Sequence, residues 1–209
     1  MKGIILAGGS GSRLHPLTNV VSKQLLPVFD KPMIYYSLSV LFLAEIKEIA
    51  IITTNEDKDK YIRLLGNGKK FGVRIEYFIQ EKPRGIPEAF LICNDFIKAS
   101  KVMLVLGDNI FYSHGLTPLI LASKKNKGAT IFSYEVVNPK DFGVVEIDAK
   151  NKIKSIEEKP IKPKSNLAIT GLYIFDQEVS LFSEKLKISK RGELEIVDLL
   201  KIYLKKKKI

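Results

Sequence analysis

Short apolar runs of strand length alternate with longer stretches of helical pattern through the first half of this chain. The apolar runs are nearly continuous, which is typical of strands buried on both faces, and the stretches between them carry apolar residues at helical spacing. This βαβ alternation predicts a mostly parallel sheet covered by helices on both faces. The predicted strands are residues 3–7, 48–53, 74–79 and 102–106, and the predicted helices are residues 33–46, 57–65 and 87–98.

The second half of the chain has a different pattern, in which strand-like runs are joined by short turns. This pattern favours antiparallel strands, and we expect them to form the wall of a cleft that lies opposite the bound ligand. A last helix is predicted from about residue 193 to about residue 204, and a length of 209 residues suits a single domain, residues 1–209. The predicted strands are residues 129–136, 143–147, 152–157 and 168–175.

The first predicted strand runs directly into a loop that contains Gly8, Gly9, Gly11 and Arg13. Glycine lets backbone N–H groups crowd around an anion, and a guanidinium group suits phosphate oxygens. The spacing fits neither a P-loop, which requires Lys-Ser/Thr after its second glycine, nor a dinucleotide loop, because Leu14 stands where the third glycine would be. The loop therefore predicts a site for a polyphosphate, although a simple turn is the alternative.

Charged and polar residues follow several of the other predicted strands. Gln80 and Asp108 each follow a buried strand, where ligands of α/β sheets bind, and Lys23 lies in a loop near the N-terminus. A carboxylate beside phosphates is a natural Mg²⁺ ligand, although a turn or helix-cap role for Asp108 is the alternative. Glu158 could accept bonds from sugar hydroxyls and Lys159 could hold a sugar phosphate, or both could simply be a charged strand end.

Composition excludes several other classes of protein. The chain has no apolar run of membrane-spanning length, and its single cysteine, Cys93, lies in an apolar pattern that predicts a buried thiol and suits a reducing cytoplasm. The net charge of +11 comes largely from scattered lysines, which are typical of a solvated surface. The lysine cluster at residues 205–208 predicts a frayed polar terminus. We therefore expect neither nucleic acid nor a membrane as partner.

Longer motifs in the chain resemble those of the sugar nucleotidyltransferases. Within that family, they resemble the motifs of the glucose-1-phosphate thymidylyltransferase group. The resemblance extends over essentially the whole chain. The matching segments are residues 3–14 (GIILAGGSGSRL), 22–28 (SKQLLPV), 30–36 (DKPMIYY), 106–109 (LGDN), 142–146 (FGVVE), 157–160 (EEKP), 163–166 (PKSN) and 191–196 (RGELEI).

The resemblance implies a three-layer, Rossmann-like α/β fold with a mixed, mostly parallel sheet. It also implies Mg²⁺-dependent transfer of a thymidylyl group from dTTP to glucose 1-phosphate. The implied products are pyrophosphate and dTDP-glucose, and the latter is used for dTDP-rhamnose synthesis. The implied nucleotide-binding residues are Leu6, Gly8, Gly9, Gly11, Ser12, Arg13, Gln80 and Gly85. The implied sugar-phosphate residues are Gly143, Glu158, Lys159 and Tyr173. The implied catalytic residues are Arg13, Lys23, Asp108 and Lys159, and the implied metal ligand is Asp108.

Three departures from the family pattern bear on these expectations. Glu88 stands where the family has Gln and adds a charge near the implied base pocket, so the choice between dTTP and UTP stays open. Phe142 stands where the family has Tyr, which removes one hydroxyl near the implied sugar site. The family pattern continues into a Trp-Leu-Asp-Thr-Gly segment, whose Asp is a second metal ligand, and into C-terminal helices that build its homo-oligomers. The present sequence contains no Trp. We expect a chain that is C-terminally incomplete relative to the family, with nucleotide binding without catalysis as the alternative function.

Overall fold

The computed structural model describes residues 1–9 and 11–209. The strands are β1 (Lys2–Leu6), β2 (Pro27–Val28), β3 (Lys31–Pro32), β4 (Glu48–Thr53), β5 (Arg74–Ile79), β6 (Val102–Leu106), β7 (Thr130–Glu135), β8 (Gly143–Ile147), β9 (Ile153–Glu158) and β10 (Leu167–Phe175). The α-helices are α1 (Ile34–Leu43), α2 (Lys58–Leu65), α3 (Glu88–Ile92), α4 (Asn94–Ile97), α5 (Leu116–Ser123), α6 (Val179–Ser183) and α7 (Ile196–Lys205).

The main sheet is mixed, with strand order β5-β4-β1-β6-β10-β8-β9, and β7 pairs with β10 outside this path. The pairs β5–β4, β4–β1 and β1–β6 are parallel, and β10 runs antiparallel to β6. The carboxyl ends of β1, β4, β5 and β6 therefore meet at one edge of the sheet. The register of β10 shifts between Ile169 and Tyr173, so this strand bends beside that edge.

Helices cover both faces of the sheet at its centre, which explains why β1, β4 and β6 are apolar without alternation. Ile4 belongs to a core cluster that also contains residues of α3, α6 and α7, whereas its neighbour Ile5 belongs to a cluster with residues of α1, α2 and α5. Side chains of successive strand residues point to opposite faces, so both must be apolar. The sheet and its two helical layers confirm the predicted three-layer α/β fold.

The predicted strands are confirmed to within about one or two residues, but the helical prediction is less accurate. The single helix predicted over residues 87–98 is two helices, because Cys93 leaves the helical region with ψ 17°. The sequence analysis missed α5 and α6, and it began the last helix a few residues before Ile196. The thiol of Cys93 is fully buried as predicted, and burial raises its pKa to about 12.

The prediction of a frayed lysine terminus was wrong. Lys205 is the last residue of α7, and the carbonyl of Lys208 accepts a hydrogen bond of 2.6 Å from the Ala129 amide. The Lys208 ammonium group pairs with Glu178, and Ile209 packs against the apolar core. These backbone and apolar contacts hold the segment against the body of the protein. No helix among the described residues is long and apolar enough to cross a membrane.

Candidate active site

The ends of four parallel strands bring distant segments together at one edge of the sheet. The Gly107 amide, just after β6, donates to the Leu6 carbonyl at the end of β1 at 2.9 Å. The Gln80 amide, just after β5, donates to the Thr53 carbonyl at the end of β4, also at 2.9 Å. The glycine-rich loop, Gln80 and Asp108 therefore all follow strand ends at this edge, as the sequence predicts.

The glycine-rich loop turns close to Lys23. Gly11 has a left-handed φ of 60°, which glycine adopts without strain, and its carbonyl accepts a bond of 2.9 Å from the Thr18 hydroxyl. A Cβ atom at Gly11 would lie 2.8 Å from Thr18 Cγ2 and 3.4 Å from Lys23 Cβ. Ser12 and Arg13 follow in an exposed 3₁₀ turn. Gly8 is buried, whereas Gly9 is exposed with no atom within 4 Å of its missing Cβ.

Lys23 and Asp108 meet directly across 85 positions of sequence. The Lys23 ammonium group donates to Asp108 Oδ2 at 2.9 Å, and the Asn109 side-chain amide donates to Asp108 Oδ1 at 3.0 Å. Asn109 is held in turn, because its Oδ1 accepts a bond of 3.0 Å from the Gly171 amide where β10 bends. Both partners of the ion pair are about one-third exposed, so the carboxylate is oriented and open to solvent.

A buried hydrogen-bond network fixes the backbone on both sides of Lys23. The Ser22 hydroxyl donates to Gln24 Oε1 at 2.8 Å and lies 2.8 Å from the Tyr61 hydroxyl. Tyr61 comes from α2 and is fully buried, and burial raises its pKa. The sequence analysis did not identify Tyr61 or Gln24, because their contacts join segments that are about 40 residues apart.

Gln80 lies against the glycine-rich loop in a nearly buried position. A Cβ atom at Gly8 would lie 3.3 Å from Gln80 Oε1. The Gln80 side-chain amide donates to Glu88 Oε2 at 2.7 Å, and the other Glu88 oxygen lies 3.8 Å from a guanidinium nitrogen of Arg84. The Glu88 carboxylate therefore joins Gln80 to Arg84 at this corner of the sheet edge.

Gly85 connects this corner to the segment that precedes α7. It has a φ of 95°, and an added Cβ would lie 2.1 Å from the Leu194 carbonyl oxygen. The Leu194 amide also donates to the Arg84 carbonyl at 2.8 Å. Only glycine can adopt this conformation so close to another backbone.

The same segment before α7 reaches Glu158 through Arg191. One guanidinium nitrogen of Arg191 lies 3.2 Å from Glu158 Oε1 and 3.5 Å from Glu195 Oε2. Burial raises the pKa of Glu158, the Glu195 carboxylate adds to the rise, and Lys159 and Arg191 oppose it. Arg191 and Glu195 are further residues that the sequence analysis did not single out, although they lie in a motif that it quoted.

The remaining predicted sugar-phosphate residues differ in where they lie relative to Glu158. Gly143 pairs with Glu158 across β8 and β9, and a Cβ at Gly143 would lie 3.5 Å from Glu158 Oε2. Lys159 is exposed, with a left-handed φ of 40°, and its amide donates to the Phe142 carbonyl at 3.0 Å. Tyr173 is buried in the core, with its ring stacked on Phe175, and burial together with the Glu158 charge raises its pKa.

The Asp108 carboxylate is the kind of ligand that a magnesium ion shared with substrate phosphates would use. Mg²⁺ is commonly held by one or two carboxylates, with substrate phosphates and water as the other ligands. Among residues 1–9 and 11–209, no group of three or more His, Cys, Asp or Glu side chains could hold a metal ion alone. The exposed, oriented carboxylate of Asp108 fits such a shared ion, and it does not fit an all-protein metal cage.

The mixed sheet covered by helices makes this an α/β protein, and the family model described as nucleotidyl transferase matches residues 2–209. The chain belongs to the nucleotidyl transferase family. It is similar to the glucose-1-phosphate thymidylyltransferase of Neisseria meningitidis, with 55% identity over 98% of this chain and 71% of the relative. The protein of the same name from Xanthomonas campestris is 53% identical over 97% of this chain and 69% of its own length.

Solved structures agree with the assignment of the fold. The crystal structure described as a glucose-1-phosphate thymidylyltransferase from Bacillus anthracis in complex with sucrose has a TM-score of 0.91 and 43% identity, covering 100% of this chain and 84% of that chain. A UDP-glucose pyrophosphorylase complexed with UDP-glucose has a TM-score of 0.87 at 24% identity, covering 100% of this chain and 88% of that chain, and it supports the fold alone.

Proposed function

We propose that this nucleotidyltransferase moves a thymidylyl group from dTTP to glucose 1-phosphate, with Mg²⁺, to give dTDP-glucose and pyrophosphate. The observation that carries the proposal is the Lys23–Asp108 pair of 2.9 Å beside the glycine-rich loop. It combines a cation for phosphate oxygens with a carboxylate for a metal ion at the edge where α/β sheets bind ligands. The names of the relatives support the choice of substrates.

The residues around the triphosphate act by orientation and charge neutralisation. The proposed position of the triphosphate is the loop from Gly8 to Arg13, with Lys23 and Arg13 facing its oxygens. Mg²⁺ held by Asp108 would offset phosphate charge. Reactions of this kind need little covalent chemistry from the protein, and positioned charges provide most of the rate enhancement.

The sugar phosphate is the nucleophile, and it needs only to be held in line. Its phosphate oxygen attacks the α-phosphorus of dTTP, and pyrophosphate leaves from the opposite side. We assign the sugar hydroxyls to Glu158 and the sugar phosphate to Lys159. Gly143 leaves open the space beside the Glu158 carboxylate.

A pyrophosphate-release assay tests this function. We expect release that requires dTTP, glucose 1-phosphate and Mg²⁺ together, and loss of release when the divalent ion is chelated. Omission of each substrate is the control, and UTP replaces dTTP in a parallel reaction. Faster release with UTP would make the protein a uridylyltransferase, and calorimetric binding of dTTP without any release would make it a nucleotide-binding protein.

Replacement of Tyr61 by Phe tests the network around Lys23. We expect kcat to fall about three- to tenfold, because the loop that carries Lys23 loses one of its buried anchors. We expect the free energy of unfolding to fall by about 1 kcal/mol for the lost hydrogen bond. Replacement of Tyr203 by Phe is the matched control, since Tyr203 is also fully buried and its hydroxyl donates to Asp176 Oδ1 at 2.8 Å, in the core cluster on the other face of the sheet. Equal kcat values for the two variants would refute this role of Tyr61.

A further inference from the structure

We propose that a groove at the edge of the sheet opposite the candidate active site binds a polyphosphate chain, that is, two or more linked phosphate groups. This groove lies between the end of α2 and the start of β5, and we call it the basic groove. Five cationic side chains line it, and all of them are exposed: Lys47, Arg63, Lys69, Lys70 and Arg74. None of them belongs to the proposed nucleotide or sugar site, so the inference stands apart from the proposed function.

The backbone of three segments assembles the basic groove. The Arg74 amide donates to the Lys47 carbonyl at 2.8 Å, and the Ile75 amide donates to the Asn67 carbonyl at 2.9 Å. These bonds hold the turn after α2 beside the amino ends of β4 and β5. Because β5 has six residues, its carboxyl end lies about 16 Å away at about 3.3 Å per residue. The basic groove is therefore separate from the edge that carries the glycine-rich loop.

Two adjoining cavities give the basic groove its shape. One has a volume of about 410 Å³ and the other of about 480 Å³, and Asn67 and Lys69 line both of them. Gly72 lines the first cavity and Gly66 the second, and nothing lies within 4 Å of the Cβ atom that either glycine lacks. Such glycines let an anion approach the backbone closely. Two connected cavities suit a ligand whose anionic groups are linked better than they suit a single small ion.

The positive charge of the basic groove is only partly compensated within the protein. Arg74 pairs with Glu76. Among residues 1–9 and 11–209, none of the other four cations forms an ion pair with a carboxylate. The Lys70 ammonium group instead donates to the Leu64 carbonyl at 2.6 Å, near the end of α2. Like charges that line a concave surface raise the local positive potential and attract a multivalent anion.

The aromatic side chain of this turn, Phe71, is already packed. The Lys70 ammonium group lies 4.9 Å from the centroid of the Phe71 ring, and the ring centroids of Tyr35 and Phe42 lie 6.0 Å and 5.9 Å from it. Single-stranded nucleic acid binds where a cationic groove is combined with aromatic faces on which bases can stack. The combination of cations with a packed ring therefore favours a polyphosphate over a strand of nucleic acid.

NMR titration with inorganic tripolyphosphate, without Mg²⁺, tests the proposal. We expect saturable shifts of the backbone amide signals of residues 66–74, and they are fitted separately from those of Gly8 and Gly9. In the double variant Lys47→Gln/Lys69→Gln, we expect binding at the basic groove to weaken about five- to tenfold, because two exposed cations are lost. The signals of Gly8 and Gly9 should respond as in wild type.

The matched control is the double variant Lys150→Gln/Lys152→Gln. It removes the same charge from two exposed lysines of the turn between β8 and β9, at the other end of the sheet. We expect this variant to bind tripolyphosphate at the basic groove as wild type does. All four replaced side chains are exposed, so both variants should keep the fold.

A titration with dTTP distinguishes the two sources of a polyphosphate chain. If dTTP and tripolyphosphate bind equally well, as measured at residues 66–74, the basic groove recognises the phosphates alone, whereas dTTP binding that is about tenfold tighter identifies a nucleotide. Either result supports the site. The inference would be overturned if sodium sulfate at the same ionic strength gave equal shifts or if a short oligothymidylate bound more tightly than tripolyphosphate. Equal affinities of the two double variants would also overturn it.

Discussion

Replacement of Asp108 by Asn is expected to lower kcat about 10²- to 10³-fold while the fold persists. The carboxylate accepts from Lys23 on one oxygen and from Asn109 on the other. An asparagine offers one acceptor and one NH₂ group, so one of the two converging donors would face another donor. The variant would also remove the negative charge proposed to hold Mg²⁺. Steady-state pyrophosphate release and circular dichroism measure the two effects.

The matched control for this prediction is Asp198→Asn on the surface of α7. Asp198 forms an ion pair of 3.1 Å with Lys201, and both side chains are nearly half exposed. Exposed ion pairs of this kind contribute about 0–1 kcal/mol to the free energy of unfolding. We therefore expect Asp198→Asn to keep the fold and the kcat of wild type. If Asp108→Asn retained more than about a third of wild-type turnover, Asp108 would have no role in holding the metal ion or in catalysis.

Replacement of Gly85 by Ala is expected to weaken dTTP binding about tenfold or more and to lower stability by about 2–4 kcal/mol. The new Cβ would meet the Leu194 carbonyl oxygen at 2.1 Å, and a non-glycine residue at φ 95° is itself strained. The loop must therefore move away from the segment before α7. We expect a fall in Tm of about 5–10 °C, measured by calorimetry, together with a raised KM for dTTP.

Gly66→Ala separates backbone strain from the clash. Gly66 ends α2 with a φ of 62°, and nothing lies within 4 Å of its missing Cβ. It should therefore cost only the backbone strain of about 1–3 kcal/mol and leave the KM for dTTP unchanged. A KM for dTTP in Gly85→Ala equal to that of wild type would show that the loop at Gly85 does not contribute to nucleotide binding.

The strands and the candidate cleft could be predicted because their signals are local. Apolar runs such as residues 102–106 mark buried strands wherever they pack, and the parallel arrangement places the following residues at one edge. This reasoning put the glycine-rich loop, Gln80 and Asp108 at one edge. The structure shows that Lys23, which the resemblance implies as a catalytic residue, contacts Asp108 there. Helix ends were less accurate, since the break at Cys93 has no breaker residue to signal it.

Contacts between distant segments could not be predicted in the same way. The bond from Gln80 to Glu88, the packing of Gly85 on Leu194 and the docking of Lys208 on Ala129 all depend on how complete elements pack. The lysine cluster illustrates the difficulty. Its lysine side chains favour solvent, whereas the backbone carbonyl of Lys208 and the side chain of Ile209 favour contact with the rest of the protein.

By itself, the sequence determined the class of fold, the edge of the sheet proposed to bind ligands and the residue types available there, because periodicity and strand-end position are properties of short segments. Only the tertiary structure decided which of those groups touch. It paired Lys23 with Asp108, joined Glu158 to Arg191 and turned the Gln80 amide toward Glu88. The physical reason is that hydrogen bonds and ion pairs depend on distances of a few ångströms, which are set by the packing of segments far apart in the chain.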